Sequence, residues 1–128
     1  MKTHWEHRRR DSQSHDEGDR YLGNKELRLL SEFAGLPVRE GDWPAYDDHV
    51  RHALIEALLA SNARYAAFML PDLFALEDRF NVPGIASGLN WSARMPVTVA
   101  EMNQEGTWKT ESRWLAEAVK RTGRFLDP

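Results

Sequence analysis

The sequence predicts an α/β fold that is mostly helical, with one parallel-sheet strand near residues 64–70. Three observations carry this. The run Tyr65-Ala66-Ala67-Phe68-Met69-Leu70 is apolar on both faces, as in the middle of a parallel sheet, although in isolation it also fits a helix. Pro71 directly follows it and suits the first turn of a helix. On either side, apolar residues recur at three- and four-residue spacing.

Taken in order, residues 1–23 read as a charged, poorly ordered arm or a short exposed helix. Between Met1 and Arg20 they hold Arg8-Arg9-Arg10, several acids and His, and one large apolar residue, Trp5. A helix follows from Asn24, its N-cap, with Leu27, Leu30 and Ala34 at i, i+3, i+7, widened by Leu29 and Phe33, and Gly35 as the C′ residue. Residues 37–44 form a connector ending in the extended pair Trp43-Pro44. A second helix over 47–61 starts at Asp47-Asp48, whose charges suit the positive end of the dipole. It is expected to bury Val50, Leu54, Ala57 and Leu58, while Ile55 and Leu59 widen the stripe towards a second neighbour. After the strand and the helix from Pro71 comes an irregular loop. Thr98-Val99-Ala100-Glu101 then reads as a capping box, Gly106 as a break, and residues from Thr110 to Gly123 as an amphipathic helix carrying Trp114, Leu115, Ala118 and Val119.

The predicted strand finds no partner in this sequence. Each buried backbone group left unpaired costs about 1–3 kcal/mol, so the chain reads as one part of a larger sheet structure. Two regions result: the arm at 1–23, and 24–128.

With 128 residues and 41% apolar content there is room for one small core. A net charge of −3, with 17 basic and 20 acidic side chains interspersed, argues against nucleic acid or an anionic membrane as partner and for a neutral one. Arg8-Arg9-Arg10 sits among acids and reads as a solvated mixed segment. The absence of cysteine removes disulfides, thiolate catalysis and Cys-ligated metals. No apolar run has membrane-spanning length and no signal-peptide core is visible, so a cytoplasmic location is expected.

The most informative segment is the loop. Asn81-Val82-Pro83-Gly84 is followed by Asn90-Trp91, Arg94 and Met95-Pro96. Gly84 is free to take positive φ, Pro83 fixes its own φ and steers Val82 away from the helical region, and the Asn side chains and the indole hydrogen-bond or stack on a flat partner. That mixture suits a sugar, and the C-terminal end of a strand is where α/β enzymes place their chemistry.

In this order and spacing the loop resembles the C-terminal end of the 4-alpha-glucanotransferases (amylomaltases, disproportionating enzymes) of glycoside hydrolase family 77. Their pattern runs helix, strand, short helix, Asn-x-Pro-Gly-Thr, Asn-Trp, a nearby Arg, Leu-Pro and two closing helices. The resemblance covers residues 47–124; Ile85 stands where the family has Thr, and Ser92-Ala93-Arg94 is less basic than the family's run. It implies that the strand is the last of a (β/α)8 barrel, and that the complete enzyme is a retaining transglycosylase with an Asp nucleophile, a Glu acid/base and a stabilising Asp on elements N-terminal to the matched part. It implies an α-1,4-glucan or maltooligosaccharide substrate and no cofactor. Asn81, Pro83, Gly84, Asn90 and Trp91 are the expected substrate-side residues. For Asn81 a sugar contact is weighed against capping a turn, and for Trp91 against plain packing.

Other constellations carry less. His49 and His52, beside Asp47 and Asp48, have i, i+3 spacing without a third ligand, as do His4 and His7, so polar helix faces are the preferred reading and no metal is expected. Asp72, Glu77 and Asp78 form no obvious facing pair for glycosidic chemistry. Thr3-His4-Trp5 shares two letters with the family's Thr-His-Asp motif and lacks the acid, and is read as a coincidence in a segment lying just downstream of that motif. No catalytic carboxylate is therefore assigned. The alternative is a stand-alone helical module that binds a protein or an oligosaccharide without chemistry.

Overall fold

The computed structural model describes residues 1–76, 84, 88, 90, 92, 94–104 and 106–124. Its elements are α1 (Lys2–Asp11), α2 (Glu17–Phe33), α3 (Asp48–Ala60), α4 (Leu70–Leu73), α5 (Val99–Met102) and α6 (Thr107–Arg121). Among the described residues there is no strand.

This corrects the α/β class and its barrel strand. Residues 65–69 carry no regular secondary structure. A ladder needs a second strand about 4.7–4.9 Å away to take its N–H and C=O groups, and no described segment supplies one. Nor is the run buried on both faces. Tyr65 is 80% exposed and Met69 52%, while Ala66 and Phe68 between them pack against Ile55, Leu59 and Ala118.

The N-terminal region also departs from expectation, because α1 forms there and Trp5 is buried within it. The basic residues Arg8, Arg9 and Arg10 fall in its last turn, where positive charge meets the negative end of the dipole. Arg8 pairs with Asp11 at 2.7 Å and with Glu26 at 2.8 Å, and Arg9 with Glu6 at 2.9 Å. The triplet is thus partly committed to internal pairs. α2 begins well before Asn24, at an N-cap Asp16 whose carboxylate accepts from the Asp19 N–H. Gly23 lets α1 and α2 cross closely: a Cβ there would lie 2.5 Å from Ser12 N and 2.7 Å from Arg8 O, both backbone atoms.

α3 divides the core in two. Val50 and Leu54 join Trp5, Leu27, Leu36, Trp43 and Tyr46, whereas Ile55 and Leu59 meet Ala118 of α6 with Trp114, Leu115 and Val119 around them. The widened stripe therefore serves two neighbours, as expected, but Leu58 turns outward at 38% exposure. α2 and α6 end alike. Gly35 and Gly123 adopt positive φ, and the N–H groups of Leu36 and Arg124 return to the carbonyls of Ser31 and Val119. α4 uses the same closure with Ala75 in the glycine position, at φ 56°, and Leu76 N–H bonded to Pro71 O at 2.9 Å.

Candidate functional site

Asn81, Pro83 and Trp91 lie outside the described residues. Gly84 has φ +81°, and a Cβ at this position would meet nothing within 4 Å, so backbone conformation and not space calls for glycine there. Asn90 is half-buried and Arg94 exposed. Fixed elements flank the loop. On one side, α4 is seated by the buried Pro71, and Phe74 packs on Trp108 of α6 with ring centroids 4.4 Å apart. On the other, the expected capping box at Thr98 forms: Glu101 accepts from the Thr98 N–H at 2.7 Å while Thr98 Oγ1 accepts from the Glu101 N–H at 3.3 Å. The bond from the Thr98 backbone, then that from its hydroxyl, holds the Glu101 carboxyl below its ordinary range.

A charged cluster joins α3 to α6. The Arg51 side chain is only 3% exposed and its Nη2 lies 2.7 Å from Glu111 Oε2, with Asp48 Oδ1 at 3.2 Å. His52 Nε2 sits 2.9 Å from the same Glu111 oxygen, and Trp114 stacks on the imidazole at 3.7 Å between centroids. Glu111 is the one buried carboxylate among the described residues, and it is engaged by two basic side chains. It therefore braces helices, whereas glycosidic chemistry needs a second facing acid. Among the described residues no three His, Cys, Asp or Glu side chains are grouped to hold a metal ion. Sequence reading missed this cluster because its partners lie far apart in the chain. A signal was present nonetheless, since Arg51 falls within the helical stripe of Val50, Leu54 and Ile55.

The model of one protein family, 4-alpha-glucanotransferase, matches residues 1–99, well over half of the chain. The chain belongs to this 4-alpha-glucanotransferase family. No curated protein and no solved structure matches.

The match to the glucanotransferase family starts at residue 1 rather than 47 and ends at Val99, short of the closing helix that the sequence resemblance included. The match takes in α1 and α2 and reaches Val99, so it shares residues 47–99, including the whole loop, with the pattern read from the sequence. It also covers Thr3-His4-Trp5. Trp5 is 1% exposed and donates its indole N–H to Pro44 O at 2.9 Å. Among the described residues no helix is long and apolar enough to cross a membrane.

Next to Trp5, Tyr46 carries a pH dependence. Its hydroxyl is buried without a hydrogen-bond partner. Burial first, and the Asp72 carboxylate second, push the phenol up to about 12 against a smaller opposing effect of Arg51. The folded chain thus keeps this proton in a window where the unfolded chain, with a pKa near 10, releases it. The contribution is full below pH 10 and is lost as pH rises through 12, on the order of 2 kcal/mol. Urea midpoints compared at pH 9 and pH 12 should fall for the wild type, and Tyr46→Phe should remove this part of the fall. Because Phe leaves no unsatisfied hydroxyl, its stability at pH 7 should match or exceed the wild type.

Proposed function

We propose that this chain is a C-terminal part of a 4-alpha-glucanotransferase that moves α-1,4-glucan segments between maltooligosaccharides with retention, in the cytoplasm. In this reading Asn81, Pro83, Gly84, Asn90 and Trp91 face the glucan. The nucleophile and the acid/base come from residues this chain does not contain. The complete enzyme would break one α-1,4 bond, hold the glycosyl group on a carboxylate, and pass it to the 4-hydroxyl of a second glucan rather than to water. The observation that carries the reading is the family match across the loop. It is supported by the commitment of the single buried carboxylate among the described residues, Glu111, to Arg51 and His52.

The test is to incubate the 128-residue chain with maltotriose and separate the products. No glucose and no longer maltooligosaccharide should form, and robust disproportionation would mean that the catalytic acids lie within this chain.

The second reading, a helical binding module without catalysis, is favoured by the all-helical architecture of the described residues. A monodisperse chain with one cooperative unfolding transition would support it, because a chain relying on missing neighbours exposes apolar surface and aggregates.

A further inference from the structure

On the outer side of α2 lies a groove of about 310 Å³. Glu17, Tyr21, Asn24 and Arg28 recur along it at helical spacing, so they share one face of the helix; Arg20 and Lys25 flank them, and Glu40 from the connector after α2 completes the lining. Tyr21 is 67% exposed, an aromatic ring held away from both apolar clusters. Lys25 Nζ lies 5.6 Å from its centroid.

The polar side chains divide into a fixed set and an uncommitted one. Asn24 accepts from the Trp43 indole at 2.7 Å and donates to Arg20 O at 3.0 Å, which ties the groove floor to the core. Among the described residues Glu17, Lys25, Arg28 and Glu40 make no side-chain hydrogen bond or ion pair, which leaves two carboxylate acceptors and two cationic donor groups beside a ring that the Lys25 ammonium approaches. Glu17 and Glu40 are interspersed with Arg20, Lys25 and Arg28, so the lining has no single sign that selects a polyanion over a neutral ligand. A purely apolar ligand would strand the charges. A neutral polyol with one apolar C–H face fits both sets: the face stacks on Tyr21, while hydroxyls donate to Glu17 or Glu40 and accept from Arg28.

We propose that this groove is a surface binding site for an α-1,4-glucan segment, centred on Tyr21. The choice of glucan among neutral sugars rests on the glucanotransferase reading. The site holds a chain without cleaving it, and so raises the residence of a long glucan on the protein.

Maltoheptaose titrated into the isotope-labelled chain, followed residue by residue by NMR, tests the proposal. Backbone amides between Glu17 and Arg28 should shift saturably. Tyr21→Ala should weaken that response about tenfold, and Tyr21→Phe should retain most of it. Because Tyr21 is exposed, the thermal midpoint of both variants should stay at the wild-type value and report intact folding. An α2 that does not shift, or one whose response is the same in Tyr21→Ala, overturns the site. If in that case the amides around the 81–91 loop still respond, the groove is excluded while the proposed function stands.

Discussion

Glu111→Ala is expected to destabilise the chain by about 3–5 kcal/mol, the cost of leaving a buried charge without its partner. Arg51 is 3% exposed at its side chain and its Nε atom has no hydrogen-bond partner, so the guanidinium depends on Glu111 at 2.7 Å. What would remain is the His52 ring nitrogen at 3.2 Å and Asp48 at 3.2 Å, the latter a side chain 74% exposed and therefore well screened. The same substitution removes the carboxylate from His52, whose ring supports Trp114 of α6. Beyond the apolar packing of Ile55 and Leu59 on Ala118, the remaining polar ties between α3 and α6 are more peripheral. Arg121 reaches Glu56 through two bonds of 3.1 and 3.2 Å at the surface, and Arg124 donates to the carbonyls of Leu59 in the last turn of α3 and of Ser61 and Ala63 just after it. Against a total stability of about 5–15 kcal/mol, undocking of α6 should be visible by urea denaturation. A double replacement, Arg51→Met with Glu111→Leu, removes both charges and should cost much less than Glu111→Ala alone. Equal losses would show that packing, and not charge pairing, sets the cost.

Trp5→Ala should cost a similar amount, about 3–5 kcal/mol, by a different route. Trp5 is 1% exposed and sits among Leu27, Trp43, Tyr46, Val50 and Leu54, so alanine leaves a cavity where α1, α2 and α3 meet. The indole N–H also satisfies Pro44 O at 2.9 Å, a carbonyl in the connector. Trp5→Phe refills most of the volume and loses this hydrogen bond, so it should fall near ~1 kcal/mol. Thermal unfolding of the two variants separates these contributions. A Trp5→Ala chain as stable as the wild type would mean that α1 is dispensable to the core.

These two residues mark what the sequence conveyed and what it withheld. Capping and periodicity are local, and they placed α3 with its Asp47 cap, the Thr98 box and the ends at Gly35 and Gly123. Trp5 was hidden because one apolar residue among charges carries no periodicity. It is buried because Gly23 lets the two helices close on each other, a contact set by tertiary packing. The strand failed for a related reason. An apolar run of six residues states that burial is available, but whether it pairs depends on a neighbour, and α3 with α6 offered Ala66 and Phe68 a helical surface instead. The family was the most legible feature because Asn81-Val82-Pro83-Gly84 and Asn90-Trp91 are unusual residues in fixed order, and the family match falls across them.

The most direct measurement follows the side-chain amides of Asn81 and Asn90 and the indole N–H of Trp91 by NMR as maltotriose is added to the labelled chain. They should shift together and saturably, and Asn81→Ala should weaken the response. Resonances at these three positions that stay still, while the chain is folded and the sugar in excess, would contradict a glucan-facing loop.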